Sequence, residues 1–383
     1  MATAYLVKFE QGAGAGAGKF NEGKIVVGST FPVSTSTGMY CVANDFSGNL
    51  FVGDVTQNAI YKITESGQIF LFAGKPGFDG YVNGTGTTAR FNNPKGIACD
   101  KSGNVYVADA NNNRIRKIDM NGKVTTIAGG FSGPCDVGMA PNGDIIVADT
   151  GNHAIYRVRA GGQTTLVAGS SGNAGNVAGD TGGVKIRGSA ARFSSPASVT
   201  VDNTGNIYVA DTGNFQVKVI HPDGWVKVFS GAGTAGNKNG KPAVAQFTSL
   251  LRIKADRSGN LFVIDAVPSF ERIKLIKQDG FVSTFASPVK NETYFGLCVT
   301  PADKVFAVVG AGTHGTGDSS SSSGSSSSVS SANSQSSKSS GSSLSSASSD
   351  NSHSSQSSQS SASSNNSVSS NSSSSSHSPG PRV

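Results

Sequence analysis

Residues Gly103–Gly130 decide the fold, and they read GNVYVADANNNRIRKIDMNGKVTTIAGG. The segment VYVAD is rich in β-branched and aromatic residues, RIRKI alternates charged and apolar residues and is expected to be half-buried, and VTTIAG ends on glycines. NNN and NG separate the three segments. Asn and Gly tolerate positive φ, so these separators are typical of tight turns between strands. The preceding segment GIACDKSGN predicts one more strand and its turn. The stretch therefore predicts a four-stranded antiparallel sheet.

The same pattern recurs along the chain. The further copies are Gly48–Gly74, Gly143–Gly169, Gly205–Gly231 and Gly259–Ala286. One such sheet cannot bury both of its faces, whereas sheets stacked radially cover one another, as they do in a β-propeller. We therefore predict an all-β fold, a six-bladed β-propeller over residues 1–312. Five of its blades are expected at about residues 31–73, 91–129, 131–169, 193–231 and 247–286.

The two ends of this repeat region predict one further blade. The segments AYLVKF and KIVVGS near the start resemble a third and a fourth strand, and Tyr294–Gly310 resembles a first and a second strand. We expect residues 5–28 to join residues 294–310 in the sixth blade, which would close the ring and remove exposed sheet edges. Residues 313–383 are Ser-rich with almost no apolar side chains, and this composition predicts a disordered, low-complexity tail.

Composition and charge narrow the classes of function. The chain has 383 residues and a formal net charge of +7, which permits a polyanionic partner without requiring one. No apolar run is long enough to span a membrane, and the start lacks the pattern of a signal peptide. These features predict a cytoplasmic protein, and we expect a monomer. The four cysteines form no CxxC pair, so we expect buried thiols rather than disulfides.

One face of the predicted propeller carries the long connections. Residues 74–90, 169–192 and 231–246 link successive blades on the same side as the turns between second and third strands. We call this side the top face and the opposite side the bottom face. Long loops on a rigid scaffold often bind partners, although they can also be tolerated insertions. The candidate binding residues on the top face are Phe78, Tyr81, Arg90, Lys95, Arg114 and Arg192.

Blade five differs from the others in its first strand. That strand reads LLRIKAD, so Arg252 and Lys254 stand where blade two has Gly96 and Ala98. Asp136 of blade three occupies the position that corresponds to Arg252. Cations at a small, buried position are costly without partners, so we predict a polar cluster in the central channel. The alternative is a frayed strand whose cations reach solvent.

Three units resemble NHL repeats, a family named for Asn-His-Leu residues in the turn. They read VYVADANNNRIRKI, IIVADTGNHAIYRV and IYVADTGNFQVKVI, and two are preceded by ARFNNPKGIACD and ARFSSPASVTVD. Asn152 and His153 match the first two letters of the family name. The resemblance extends over most of residues 1–312 and implies a β-propeller. NHL propellers include RNA binders, protein-binding platforms and enzymes, so the resemblance implies no single function.

Our leading prediction is a non-enzymatic platform that binds a protein or peptide through its top face, without a metal or cofactor. The first alternative is an RNA-binding NHL propeller, which the excess of basic residues favours. The second alternative is a metal-dependent lyase or hydrolase. The amidating lyases related to this family hold zinc with several histidines. Here His153 and His221 are the only histidines before residue 313, and they are predicted in turns on opposite faces.

Overall fold

The computed structural model describes residues 5–11, 20–25, 39–179, 186–267, 270–287 and 292–311. These residues form antiparallel β-sheets, and the helices among them are 3-10 turns of three residues. The helical turns are Gly86–Thr88, Ala110–Asn112, Thr150–Asn152 and Thr212–Asn214. The prediction of an all-β propeller arrangement is therefore confirmed. The predicted tail, residues 313–383, lies outside the described residues.

Five blades are each built from four consecutive strands. Blade one comprises Met39–Asn44, Leu50–Asp54, Ala59–Ile63 and Ile69–Ala73. Blade two comprises Pro94–Cys99, Val105–Asp109, Arg114–Ile118 and Lys123–Gly129. Blade three comprises Pro134–Met139, Ile145–Asp149, Ala154–Val158 and Thr164–Gly169. Blade four comprises Pro196–Val201, Ile207–Asp211, Gln216–Ile220 and Trp225–Ser230. Blade five comprises Leu250–Ala255, Leu261–Val267, Phe270–Ile276 and Val282–Ala286.

A further four-stranded sheet, which we call the composite sheet, combines strands from both ends of the described chain. Its strands, in spatial order, are Phe20–Ile25, Tyr5–Gln11, Val305–Ala311 and Glu292–Val299. Tyr5 pairs with Val309 and Phe9 pairs with Val305 across the junction. The structure thus shows five blades of continuous chain together with this composite sheet.

Two of the long loops contribute a short outer strand to the blade that follows them. Gly84–Thr85 pairs with the fourth strand of blade two, and Ile186–Arg187 pairs with the fourth strand of blade four. Both loops therefore run along their blades and are bonded to them through backbone groups.

Apolar side chains fill the spaces between neighbouring sheets. Phe51 of blade one belongs to the same buried cluster as Ile97 of blade two. The composite sheet packs on both of its neighbours, since Phe306 lies in a cluster with blade one and Tyr294 lies in a cluster with blade five. Burial between sheets is the main stabilisation available to such short strands, at roughly 25 cal/mol per Å² of apolar surface. The first strands of blades two to five line a central channel, across which their groups meet.

Candidate functional site

The long loops of the top face are held by buried cations in the third strands of the blades that follow them. Arg116 of blade two, Lys218 of blade four and Lys274 of blade five are 0% exposed. Each occupies the same register position, opposite Val107, Val209 and Val263 of the second strand. Blades one and three carry Tyr61 and Tyr156 at this position.

Arg116 connects blade two to the loop of residues 74–90. Its Nη1 atom donates to Asp109 Oδ2 at 2.8 Å and to the Arg90 carbonyl oxygen at 3.0 Å. Its Nη2 atom donates to the Val82 carbonyl oxygen at 2.9 Å and to Asn83 Oδ1 at 2.8 Å. One guanidinium therefore binds the repeated aspartate and both sides of the loop, which its planar array of donors allows.

Lysines make the corresponding connection in blades four and five. Lys218 Nζ lies 2.6 Å from Asp211 Oδ2 and donates to the Arg192 carbonyl oxygen at 2.8 Å. Lys274 Nζ lies 3.2 Å from Asp265 Oδ2 and donates to the Gln246 carbonyl oxygen at 2.7 Å. Burial lowers the pKa of both lysines, and the attraction of the paired aspartate opposes that effect.

The repeated aspartates at the ends of the second strands accept hydrogen bonds from backbone N–H groups. All five are 0% exposed, and they are Asp54, Asp109, Asp149, Asp211 and Asp265. Asp109 accepts the Asn92 N–H at 2.7 Å, and Asp211 accepts the Ser194 N–H at 2.7 Å. Burial raises the pKa of both carboxyl groups, while these N–H donors and the paired cations oppose the shift. We name each aspartate with its buried cation a loop anchor.

The loop anchors were not predicted from the sequence, because the alternation in RIRKI indicated only a half-buried strand and no partner for Arg116. Arg116 is instead buried, and both of its Nη atoms have acceptors. A signal was present in the sequence. Blades two, four and five follow long connections and carry Arg or Lys at the middle of the third strand, whereas blades one and three carry Tyr there.

Two of the predicted top-face residues are exposed aromatics on the first long loop. Phe78 is 54% exposed and Tyr81 is 46% exposed. Lys75 Nζ lies 4.1 Å from the centre of the Phe78 ring, and the Arg114 guanidinium lies 4.5 Å from the centre of the Tyr81 ring. The structure therefore brings Tyr81 and Arg114 together, and the Arg116 guanidinium also lies 5.0 Å from the centre of the Tyr81 ring.

The predicted arginines of the top face bind their own loops. Arg90 donates to the carbonyl oxygens of Thr87 and Ala89, both at 2.7 Å. Arg192 donates to the carbonyl oxygen of Ala191 at 2.8 Å. These bonds give both side chains a local structural role. Lys95 is half-buried at the start of the first strand of blade two.

The predicted cluster in the channel is assembled across non-neighbouring blades. Lys254 Nζ of blade five lies 3.2 Å from Asp136 Oδ2 of blade three. Arg252 donates through Nη2 to the Lys95 carbonyl oxygen of blade two at 3.0 Å. Ser198 of blade four, which sequence reasoning missed, donates its hydroxyl to Asp136 Oδ2. The cluster thus ties the inner strands together across the channel.

The bottom face, which lacks the predicted long loops, holds a cavity that was not predicted from the sequence. Its volume is about 370 Å³, and it lies among the inner strands and the turns that follow them. Lys254 and Thr200 contribute to its wall, so the cavity reaches the polar cluster. The channel therefore opens toward the bottom face as a pocket of the size that binds small ligands.

The histidine of the family name joins two blades. The Ser195 N–H of blade four donates to His153 Nδ1 at 3.0 Å. The Gly133 N–H donates in the same way to Asn113 Oδ1 at 2.7 Å, between blades two and three. His221 Nδ1 lies 2.9 Å from Asn206 Oδ1, on the bottom side of blade four. Within the described ranges, no three His, Cys, Asp or Glu side chains are grouped closely enough to hold a metal ion.

Comparisons with known proteins agree with this architecture. The family described as NHL repeat matches residues 131–155 and 193–220, and the family described as Teneurin NHL domain matches residues 29–136. An NHL repeat-containing protein 2 from Gallus gallus is 40% identical over 90 residues, which are 23% of this chain and 12% of that protein. The match therefore spans about an eighth of the length of that relative.

Solved structures align with this chain at low identity. A gluconolactonase from Xanthomonas campestris aligns with a TM-score of 0.50 and 13% identity, over 72% of this chain and 86% of that one. A virginiamycin B lyase from Staphylococcus aureus aligns with a TM-score of 0.48 and 17% identity, over 76% of this chain and 85% of that one. Among the helices that the structure describes, none has the length and hydropathy to cross a membrane. The repeat matches and the arrangement of the sheets together show that the chain contains NHL repeats within a β-propeller arrangement.

Proposed function

We propose that this propeller is a binding platform that takes a protein or peptide on its top face. The observation that carries the proposal is the set of loop anchors, which fix three long loops to the blades through buried bonds. A pre-organised loop loses less conformational entropy when a partner binds. The anchored loops display partly exposed apolar side chains, which are Phe78, Tyr81, Val82, Val177 and Val244.

Aromatic side chains with a cation beside them suit a protein interface. Tyr81 presents its ring together with Arg114, and its hydroxyl lies 3.0 Å from Thr126 Oγ1. Tyrosine and arginine are enriched among the residues that contribute most to protein–protein affinity. RNA is the second candidate, because bases stack on exposed aromatic rings. The cations beside Phe78 and Tyr81 leave less ring surface for bases, so we favour the protein partner.

The test separates the two kinds of partner. Top-face variants Phe78→Ala and Tyr81→Ala, with bottom-face Phe46→Ala as the matched control, are used to recover binding proteins from a lysate. We expect a specific protein that is retained by the wild type and by the control and lost by both top-face variants. Retention by all variants would contradict the proposal.

RNA binding is measured directly by fluorescence anisotropy with random single-stranded RNA at two salt concentrations. Submicromolar affinity that falls steeply with salt would favour the RNA-binding alternative, because neutralised phosphates release counterions. In that case the fourfold alanine variant of Arg90, Lys95, Arg114 and Arg192 should lose the affinity and flatten the salt dependence.

We also propose that the composite sheet acts as the sixth blade and closes the ring. Its buried side chains pack on blade one and on blade five, and its central junction joins strands from the two chain ends. Deleting residues 1–25 would remove two of its strands and expose the edge of Val305–Ala311. We expect aggregation or a large fall in Tm. An unchanged Tm in differential scanning calorimetry would contradict closure.

A further inference from the structure

In the cavity of the bottom face, Lys254 is the one long side chain among six residues at equivalent positions of the inner strands. Lys254 pairs with Phe262 of the adjacent second strand, and each inner strand has one residue at the same register position. The equivalent residues are Ala43, Ala98, Gly138, Thr200 and Cys298. These five side chains are small, so they leave space around the Lys254 side chain at the centre of the ring.

The cluster at the inner end of the cavity contains more positive than negative charge. Asp136 is 1% exposed and Arg252 is 7% exposed, while the Lys254 side chain is 16% exposed. Two cations and one carboxylate give these three residues a net charge of +1. Asp136 Oδ2 also accepts the Ser198 hydroxyl, so Lys254 shares its carboxylate oxygen with another donor. Because Asp136 is shared between two donors, it neutralises the Lys254 ammonium group only in part. A largely buried ammonium group that is partly neutralised attracts a further anion.

The carboxylates in the cavity wall are engaged in local turns. Asp202 accepts the N–H groups of Thr204 and Asn206, both at 2.9 Å. Asp256 accepts the Asn260 N–H at 2.8 Å. The wall also includes Lys101 and Arg257, so its charged side chains, counted with Lys254, comprise three cations and two carboxylates. The wall therefore matches a ligand that carries a single negative charge.

The cavity wall combines a hydroxyl donor with apolar side chains. The Thr200 hydroxyl accepts the Ala255 N–H at 3.2 Å and keeps its own proton to donate to a ligand. Met139, Val201 and Val299 also line the cavity and are partly exposed there. A volume of about 370 Å³ lies within the usual range of ligand pockets.

We propose that this cavity binds a small organic acid whose carboxylate pairs with Lys254 Nζ and whose apolar body contacts Met139, Val201 and Val299. Thr200 would donate a second hydrogen bond to the carboxylate. The site is separate from the proposed top-face surface, since it opens between the turns that join first and second strands. Its ligand enters from the bottom face, and Arg252 lies at the inner end.

The proposal is tested with benzoate as the probe and the full chain as the protein. Isothermal titration calorimetry should show binding of benzoate, and the neutral isostere benzamide should bind about ten- to hundredfold more weakly, because a charge-assisted bond is lost. Lys254→Met should reduce benzoate affinity by a similar factor. Lys277→Met, which removes the same charge from an exposed turn of blade five outside the cavity wall, should change it by no more than about threefold.

Each contrary result overturns the proposal. Absence of benzoate binding at millimolar concentration, equal affinity for benzoate and benzamide, or unchanged affinity in Lys254→Met would each contradict a carboxylate site. If Lys254→Met does not fold, wild-type crystals grown with 4-bromobenzoate decide the location. Anomalous scattering from bromine inside the cavity, with the carboxylate on Lys254, supports the proposal, and bromine elsewhere on the surface refutes it.

Discussion

Blades three and four share the DTGN turn but differ in the third strand that follows it. In blade four, Lys218 binds Asp211 and the carbonyl oxygen of Arg192, which belongs to the long loop. In blade three the connection from blade two is short, and Tyr156 packs edge-on against Phe131 with ring centres 5.9 Å apart. Asp149 has N–H donors but no cation beside it among the bonds that the structure shows.

The difference shows how one repeat accommodates an insertion. A long loop brings backbone carbonyl groups over the top of the following blade, and buried carbonyl groups need donors. A cation at the middle of the third strand supplies those donors and is itself neutralised by the repeated aspartate. Where the connection is short, an aromatic ring fills the same position. A buried cation is therefore found where a long loop precedes the blade, and it is not a feature of every repeat.

Removing the cation of blade four should have the largest effect. Lys218→Met leaves Asp211 buried without its partner, and we expect the free energy of unfolding to fall by about 3–5 kcal/mol. Tyr156→Phe in blade three is the matched control and should cost less than about 1 kcal/mol. Urea unfolding followed by circular dichroism measures both. Equal losses would show that the loop anchor adds nothing beyond packing.

Changing the type of cation should have an intermediate effect that is confined to the loop. Arg116→Lys in blade two cannot keep all four bonds of the guanidinium, and losing charged bonds should cost about 1.5–3 kcal/mol. We expect faster amide hydrogen exchange in residues 80–90, with exchange in the loop before blade four unchanged as the internal control. Uniform acceleration in both loops would indicate a global loss of stability instead.

The aspartate of blade three should add a pH dependence of opposite sign to that of ordinary acid denaturation. Burial raises the pKa of Asp149 above 3.8, although the Ser132 N–H and the Asn152 amide oppose the shift. The native state then binds more protons than the unfolded state between pH 3.8 and the raised pKa, so this contribution to stability falls as pH rises through that window.

The Asp149→Asn variant should lack that contribution. Wild-type stability relative to the variant should therefore decline with rising pH above 3.8, by at most about 1.4 kcal/mol per pH unit. Chemical unfolding at a series of pH values measures the difference. A relative stability that rises with pH would mean that the hydrogen bonds outweigh desolvation.

The turn that joins blades three and four should give the smallest effect. His153 adopts φ of 54° and accepts the Ser195 N–H, a role that Asn113 performs in blade two. His153→Ala should cost about 0.5–1.5 kcal/mol because this bond is lost. His153→Asn should retain wild-type stability, since Asn favours the left-handed region and offers an acceptor. Failure of Asn to restore stability would show that ring packing, rather than the bond, is important.

The repeat could be predicted from sequence because its signals are local. The turn after Asp109 contains three asparagines, and Asn113 adopts φ of 55° at its end. Alternation of apolar and polar residues then sets the strands on either side. The polar cluster could also be anticipated, since Arg252 and Asp136 replace small residues at one repeat position. The contact between Lys254 and Asp136 shows that comparing repeats can locate groups that meet across a channel.

The details of the top face could not be predicted in the same way. Arg90 and Arg192 were candidate binding residues of the top face, yet their guanidinium groups bind carbonyl oxygens of their own loops. The path of a glycine-rich loop depends on which buried donors it meets, and no local pattern encodes that. The role of these arginines toward a partner stays a prediction.

The sequence by itself determined the strands, their turns and the number of continuous blades, because turn chemistry and side-chain alternation act between residues near in the chain. Only the tertiary structure decided that Arg116, Lys218 and Lys274 are buried anchors rather than surface charges. It also decided that a cavity lies beneath Lys254. Both features arise where separate blades meet, since burial and charge pairing depend on groups that are distant in sequence.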